Sequence, residues 1–216
     1  MTATVHAAAA IEKKFVRTTY GEVAYLETGR AGAPPVLFVH GIPTSSFLWR
    51  HVLRYLQGDS LQDGFHCIAP DLMGLGDTRV DPGATHGYSW EAQAEMLLET
   101  MQALGHERFA VVCHDQGGAA AQILAARLPD HLTALVLTDC VAYDNWPVPA
   151  IAQLQRLARL GPLGELLGQP RLMEWLETHP RFSRFKKGVF DPKKLTDDVI
   201  REYLRPMRTR EGRESF

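Results

Sequence analysis

Four short apolar runs constrain this chain most: PVLFV at 35 to 39, FHCIA at 65 to 69, FAVVC at 109 to 113 and LTALVLT at 132 to 138. They are continuous rather than alternating, a texture that suits strands buried on both faces of a parallel sheet. Between them lie FLWRHVLRYL, SWEAQAEMLLETMQALG and GAAAQILAARL, with apolar residues at helical spacing. The second opens on Ser89, placed for an N-cap, and ends on Gly105. Upstream, KKFVRTT and EVAYLET flank Tyr20-Gly21, a hairpin turn signal. The order β-β-β-α-β-α-β-α-β predicts an α/β fold, a mostly parallel sheet with helices on both faces.

Past Leu137 the texture changes. DNWPVP, a helical AIAQLQRLARL, the breaker GPLG, RLMEWLE and KLTDDVIREYL carry no further strand of this type. The chain therefore divides into an α/β core over 1–143 and a helical lobe over 144–216. Its 216 residues, 45% hydrophobic and 22% charged, suffice for one core and a small appended lobe. A net charge of -2 offers no positive field for nucleic acid or anionic lipid. The basic cluster RFSRFKK at 181 to 187 reads as a solvated face. Cys67, Cys113 and Cys140 follow no metal-ligand spacing and read as buried free thiols of a reducing compartment. MTATVHAAAA lacks the features of a signal peptide, and no apolar run is long enough to span a bilayer. The reading is a cytoplasmic protein with no membrane partner.

The run FAVVC passes directly into HDQGGAAAQ. A strand that ends in small-x-nucleophile-x-Gly and enters a helix turns sharply, holding the middle side chain over the carboxyl edge of the sheet. Cys113-His114-Asp115-Gln116-Gly117 fits that pattern with Asp115 as the nucleophile. The helix N-terminus favours its ionised form. Taken by itself, the stretch fits a simple helix-capping aspartate equally well. Two further stretches favour the nucleophile: His-Gly-Ile-Pro at 40 to 43, just past the first buried strand, and PDLMGLGDT at 70 to 78, just past the second.

With these three motifs in order, the sequence resembles the α/β-hydrolase fold, in the branch with an aspartate nucleophile that includes haloalkane dehalogenases and epoxide hydrolases. The resemblance runs from about Phe15 to the chain end. It implies that Asp115 attacks an electrophilic carbon and that water cleaves the resulting ester. It also implies an oxyanion hole made by the backbone N–H groups of Ile42 and Gln116, with Pro43 holding the turn that aims the first. His40 and His114 read as structural histidines. The substrate is a small molecule, and no cofactor or metal is called for. An ester-hydrolysing variant of the fold and a non-catalytic protein binding a small apolar ligand are the alternatives.

The sequence departs from this family in two respects. Relatives commonly bind the leaving halide with an Asn and a Trp where this chain has Ile42 and Gln116, leaving the Gln116 amide, Trp146 or Trp175 as donors. Tyr143 and Tyr203 are the lobe tyrosines that an epoxide would need. For the acid that supports the catalytic base, Asp139 stands at the end of LTALVLT, with Asp144 as the fallback. No histidine matches the base itself, His179 being poorly placed before a proline. The chain is expected to stop inside the cap, before the last two strands and that histidine.

Overall fold

The computed structural model describes residues 11–57, 64–81, 87–142, 144–145, 156 and 169–209. β1 (Lys13–Thr18) and β2 (Gly21–Thr28) form the expected hairpin, turning through Gly21 at φ 133. β3 (Pro35–Val39) and β4 (His66–Pro70) follow, then the two-residue β5 (Arg79–Val80), β6 (Phe109–His114) and β7 (Leu132–Thr138). They make one sheet in the order β1-β2-β4-β3-β6-β7, with β5 added against β2. β3 pairs in parallel with both β4 and β6, and β6 in parallel with β7. The hairpin joins antiparallel. This is the expected α/β architecture with a mostly parallel centre.

Helices cover both faces. On one side α1 (Arg50–Leu56), entered through a 3-10 turn at Ser46–Trp49, buries Leu53 with Trp49, Phe38, Val36 and Cys67. On the other, α2 (Trp90–Ala103) and α3 (Gly117–Arg127) bury Met96, Leu97, Met101, Ala120 and Leu124 against Leu37, Val39, Val111 and Cys113. Ser89 caps α2 by accepting the Ala92 N–H, and Gly105 just past its end has φ 84. The terminal signals in the sequence therefore act as their chemistry dictates.

LTALVLT departs from expectation. It is a parallel strand, but it is not buried: Leu135, Val136 and Leu137 keep 36%, 47% and 47% of their surface exposed. Among the described residues β7 pairs with β6 alone. Cys140 is half-buried where a buried thiol was expected.

In the helical lobe, α4 (Pro170–Thr178), α5 (Arg184–Gly188) and α6 (Asp197–Leu204) are described. Nearly all of AIAQLQRLARL lies outside the described residues. The basic cluster serves the lobe itself. Arg184 pairs through Nε and its backbone N–H with the buried carboxylate of Glu177, both at 2.8 Å, and Lys186 pairs with Asp197 at 2.6 Å. No helix among the described residues is long and apolar enough to cross a membrane.

Candidate active site

Asp115 sits between the last residue of β6 and the start of α3 with φ 53, a left-handed conformation that an aspartate tolerates better than most side chains. The corner is closed by its own backbone: Gly118 N–H donates to Asp115 O at 3.1 Å. Val141 N–H, from beyond β7, donates to the same oxygen at 3.2 Å. The chain after β3 comes so close to this corner that side chains are excluded. A Cβ at Gly117 would stand 2.3 Å from His40 O, and one at Gly41 would stand 2.4 Å from Asp115 Oδ2. Those two glycines let the loop after β3 reach the elbow.

That loop delivers the Ile42 N–H, which donates to Asp115 Oδ2 at 3.0 Å. Pro43 follows across a cis peptide, and Thr44 closes the turn with its N–H and its hydroxyl on Gly41 O, at 3.1 and 2.8 Å. Gln116, covalently next to Asp115, is buried at the N-cap of α3. Its side-chain amide makes no hydrogen bond among the described residues.

The histidines around the elbow are committed elsewhere. His40 is fully buried and both ring nitrogens are in use: Leu72 N–H donates to Nε2 at 3.0 Å, so Nδ1 carries the proton and donates to Gly41 O at 2.9 Å. Burial pushes this imidazole down to about 4. His114 turns its Nδ1 to Thr138 O at 2.9 Å, away from the carboxylate beside it. His179 accepts the Arg181 N–H and lies against Trp175 and Phe182.

The remaining candidates are scattered. Asp139 follows β7 with φ 46 and an exposed side chain, and Asp144 is exposed as well. Trp175 on α4 is 53% exposed and lies against His179 and Phe182 at a tilt, so it is neither lobe core nor brought to Asp115 among the described residues. The Tyr203 hydroxyl, on α6, accepts from Arg50 Nη1 at 3.0 Å. Tyr143 and Trp146 lie outside the described residues.

Sequence reasoning missed Asp71. This carboxylate is fully buried and accepts the Ser46 N–H at 2.8 Å, the Asp77 N–H at 2.7 Å and Lys13 Nζ at 2.6 Å. It thereby ties the chain just past the Ile42 loop to β1 and to its own loop. A Cβ at Gly76 would meet it at 2.2 Å, so this glycine of PDLMGLGDT serves the contact. An aspartate directly after a buried strand and ahead of two glycines was the available signal. Next to it, Asp77 takes both guanidinium nitrogens of Arg205 at 2.7 and 2.9 Å, joining core to lobe. Arg205 holds the Asp77 carboxyl below its ordinary range. No group of three or more potential metal ligands occurs among the described residues.

Known proteins share this fold. Residues 34–170 match the model of the α/β hydrolase fold family. An uncharacterized hydrolase of Saccharomyces cerevisiae is 34% identical over 124 residues, 57% of this chain and 40% of that protein. Haloalkane dehalogenase 2 of Mycobacterium tuberculosis is 30% identical over 141 residues, 65% of this chain and 45% of that protein. The chain thus spans less than half the length of these curated relatives. Among solved structures, a loop variant of the haloalkane dehalogenase DbeA from Bradyrhizobium elkanii superposes with a TM-score of 0.71 at 29% identity, covering 96% of this chain and 67% of that one. A mutant of a putative epoxide hydrolase from Pseudomonas aeruginosa gives 0.69 at 26% identity, covering 94% of this chain and 67% of that one. With more than half its length matched by the family model, and with the sheet order and strand-end corner just described, the chain belongs to the α/β hydrolase fold family.

Proposed function

We propose that Asp115 is the nucleophile of a hydrolase that opens an alkyl halide through an ester formed on its own carboxylate. The observation that supports this most is the 3.0 Å bond from Ile42 N–H to Asp115 Oδ2 at a strand-to-helix corner. It holds one oxygen and leaves Oδ1 to attack. The Oδ1 electron pair forms a new C–O bond as the carbon–halogen bond breaks and halide departs. Water then adds to the ester carbonyl carbon, giving its proton to a base. The charge that develops on Oδ2 is met by the Ile42 and Gln116 N–H groups, and losing one such donor costs roughly 3 kcal/mol. Collapse of the intermediate expels the alcohol and restores the carboxylate. On this reading Asp139 is the acid that orients the base of the second step, and the Gln116 side-chain amide is the donor for the halide. The core runs over 1–143 and the cap over 144–216.

The likeness to a putative epoxide hydrolase favours one second reading, ring opening of an epoxide by the same carboxylate. There the leaving oxygen stays on the substrate and must take up a proton. The Tyr203 hydroxyl accepts from Arg50 and keeps its own hydrogen to give.

The test is the intact mass of the 216-residue chain after incubation with a primary alkyl bromide and, separately, a terminal epoxide. One stable adduct mapped to Asp115 and absent in Asp115→Asn is expected. It should persist, because among the described residues no histidine touches the Asp115 carboxylate to activate water. The reagent that reacts faster names the substrate class. An adduct that survives Asp115→Asn, or none from either reagent, would overturn the proposal.

A further inference from the structure

Two cysteines flank the elbow from neighbouring strands. Cys113 is the fifth residue of β6 and fully buried; Cys140 follows Asp139 just beyond β7 and is half-buried. Their sulfurs lie 3.7 Å apart. Around them the packing is close: Cys140 Sγ is 3.4 Å from Thr138 O and 3.6 Å from Cys113 O, and a Cβ at Gly118 would come within 2.5 Å of it. Cys67, the third thiol, is buried on the opposite face of the sheet with Phe38 and Trp49.

We propose that Cys113 and Cys140 form a reversible disulfide that senses peroxide and alters the geometry of the Asp115 elbow. A disulfide brings two sulfurs to about 2.05 Å, so this pair closes by less than the width of one atom. The reaction needs a peroxide. The more accessible sulfur, that of Cys140 as its thiolate, attacks one peroxide oxygen and becomes a sulfenic acid as the O–O bond breaks and hydroxide leaves, taking up the proton the thiol had released to become water. The Cys113 sulfur then attacks the sulfenic sulfur, the S–S bond forms and a second water leaves with the thiol proton. Two thiols are oxidised and one peroxide is reduced to water. Burial pushes the Cys113 thiol up, which suits it to the resolving role, since it stays a thiol until its neighbour has been oxidised.

The link from sulfur to active site is short. Asp115 N–H donates to Thr138 O at 3.4 Å, and Val141 N–H donates to Asp115 O at 3.2 Å. These bonds tie the residue two after Cys113 to the residues on either side of Asp139 and Cys140. Drawing the sulfurs together moves the same strand ends, and displacing a reacting group by about 1 Å can cost about 100-fold in rate.

The test uses the full chain with hydrogen peroxide. Non-reducing peptide mapping should give a Cys113–Cys140 link, with loss of the two thiol hydrogens from the intact mass, Cys67 unmodified and full reversal by a reductant. Cys140→Ser, a near-isosteric change at a half-exposed position, should show no link. Oxidation that stops at a sulfinic acid on Cys140 with Cys113 still free, or links only between chains, would overturn the proposal. Coupling to the site has two readouts. The rate of Asp115 alkylation rests on the function proposed above and should fall by at least tenfold in the linked protein, recovering on reduction. Amide hydrogen exchange at Asp115 and Val141 needs no chemistry at Asp115 and should change with linkage in the native protein but not in Cys140→Ser. A disulfide that leaves the exchange of both amides unaltered would refute the coupling. A disulfide with altered exchange but no alkylation in either redox state would count against the nucleophile reading alone.

Discussion

β6 and β7 run side by side in parallel, and each hands over to an aspartate in the left-handed region, Asp115 at φ 53 and Asp139 at φ 46. Among the described residues, only the first has a built environment. At Asp115 the loop after β3, the start of α3 and the chain beyond β7 converge, and each supplies a backbone group or a glycine cut to fit. Asp139 is exposed, just past a strand whose Leu135, Val136 and Leu137 are exposed with it. An aspartate at a strand end is therefore a weak sign of a site. What marks a site is several distant segments made to meet there.

The largest effect expected comes from undoing that convergence. In Gly41→Ala the new methyl would lie 2.4 Å from Asp115 Oδ2 and 2.5 Å from Asp115 Cβ, so the carboxylate must move off the Ile42 N–H. Overpacking of this kind costs about 1–3 kcal/mol. The rate of Asp115 alkylation should fall about 100-fold. Denaturant unfolding and adduct formation measured on one preparation separate the two effects, and an unchanged alkylation rate would show that the Ile42 contact is dispensable.

A comparable loss of stability should follow from acid. The unfolded chain takes up a proton at His40 below its ordinary 6.5, whereas burial keeps the folded imidazole neutral until about 4. The unfolded state therefore binds more protons across that window, and stability falls as pH drops through it. The full shift is worth about 3 kcal/mol. The denaturant midpoint followed from pH 7 down to 4 measures the loss, and the His40 ring signals in nitrogen–proton spectra should keep the Nδ1–H tautomer down to about pH 5. A His40 that titrates near 6.5 would contradict the burial and hydrogen bonding assigned to it.

Much of this was legible in the sequence because it follows from local rules. PVLFV and LTALVLT match β3 and β7 residue for residue, and Ser89 and Gly105 bracket α2. The same holds for His-Gly-Ile-Pro and for Cys113 to Gly117, whose spacing alone predicts a corner. What escaped depends on tertiary partners. A continuous apolar run signals a buried strand, but burial requires something on each face, and among the described residues β7 has too little. Asp71 is polar inside a core because three donors from three segments meet it, a fact that no window of sequence around residue 71 contains. Trp175 was a candidate donor by residue type, yet its helix turns it outward onto His179 and Phe182.

The contrast between the two strands can be sharpened one residue at a time. Val111 on β6 is fully buried, while Val136 on β7, one register step along, is nearly half exposed. Fully burying a valine side chain is worth about 1.5–3 kcal/mol. Val111→Ala should therefore cost about 2 kcal/mol and Val136→Ala less than about 1 kcal/mol. Equal losses in urea unfolding would mean that β7 is covered in solution, and the difference between the strands would vanish.

The smallest effect on stability, and the most direct probe of β7, is expected from Val136→Lys. A lysine on an exposed strand keeps its ammonium in water and lays its stem over neighbouring apolar surface, so little folding energy changes hands. Unfolding should shift by less than about 1 kcal/mol. Association is another matter. An apolar strand with an unpaired edge offers its N–H and C=O groups to any second copy, and a charge on that strand is a recognised way of preventing such pairing. The native chain should then show self-association that rises with concentration, and Val136→Lys should shift sedimentation toward the monomer with its unfolding curve almost unmoved. If the native chain already sediments as a monomer at every concentration, the edge of β7 is not offered to a second copy, and the exposed face of Leu135 to Leu137 has no role in pairing. If both proteins associate equally, pairing runs through another surface. Only a change in association without a change in folding would confirm that β7 differs from β6 in what covers it and not in how well it is made.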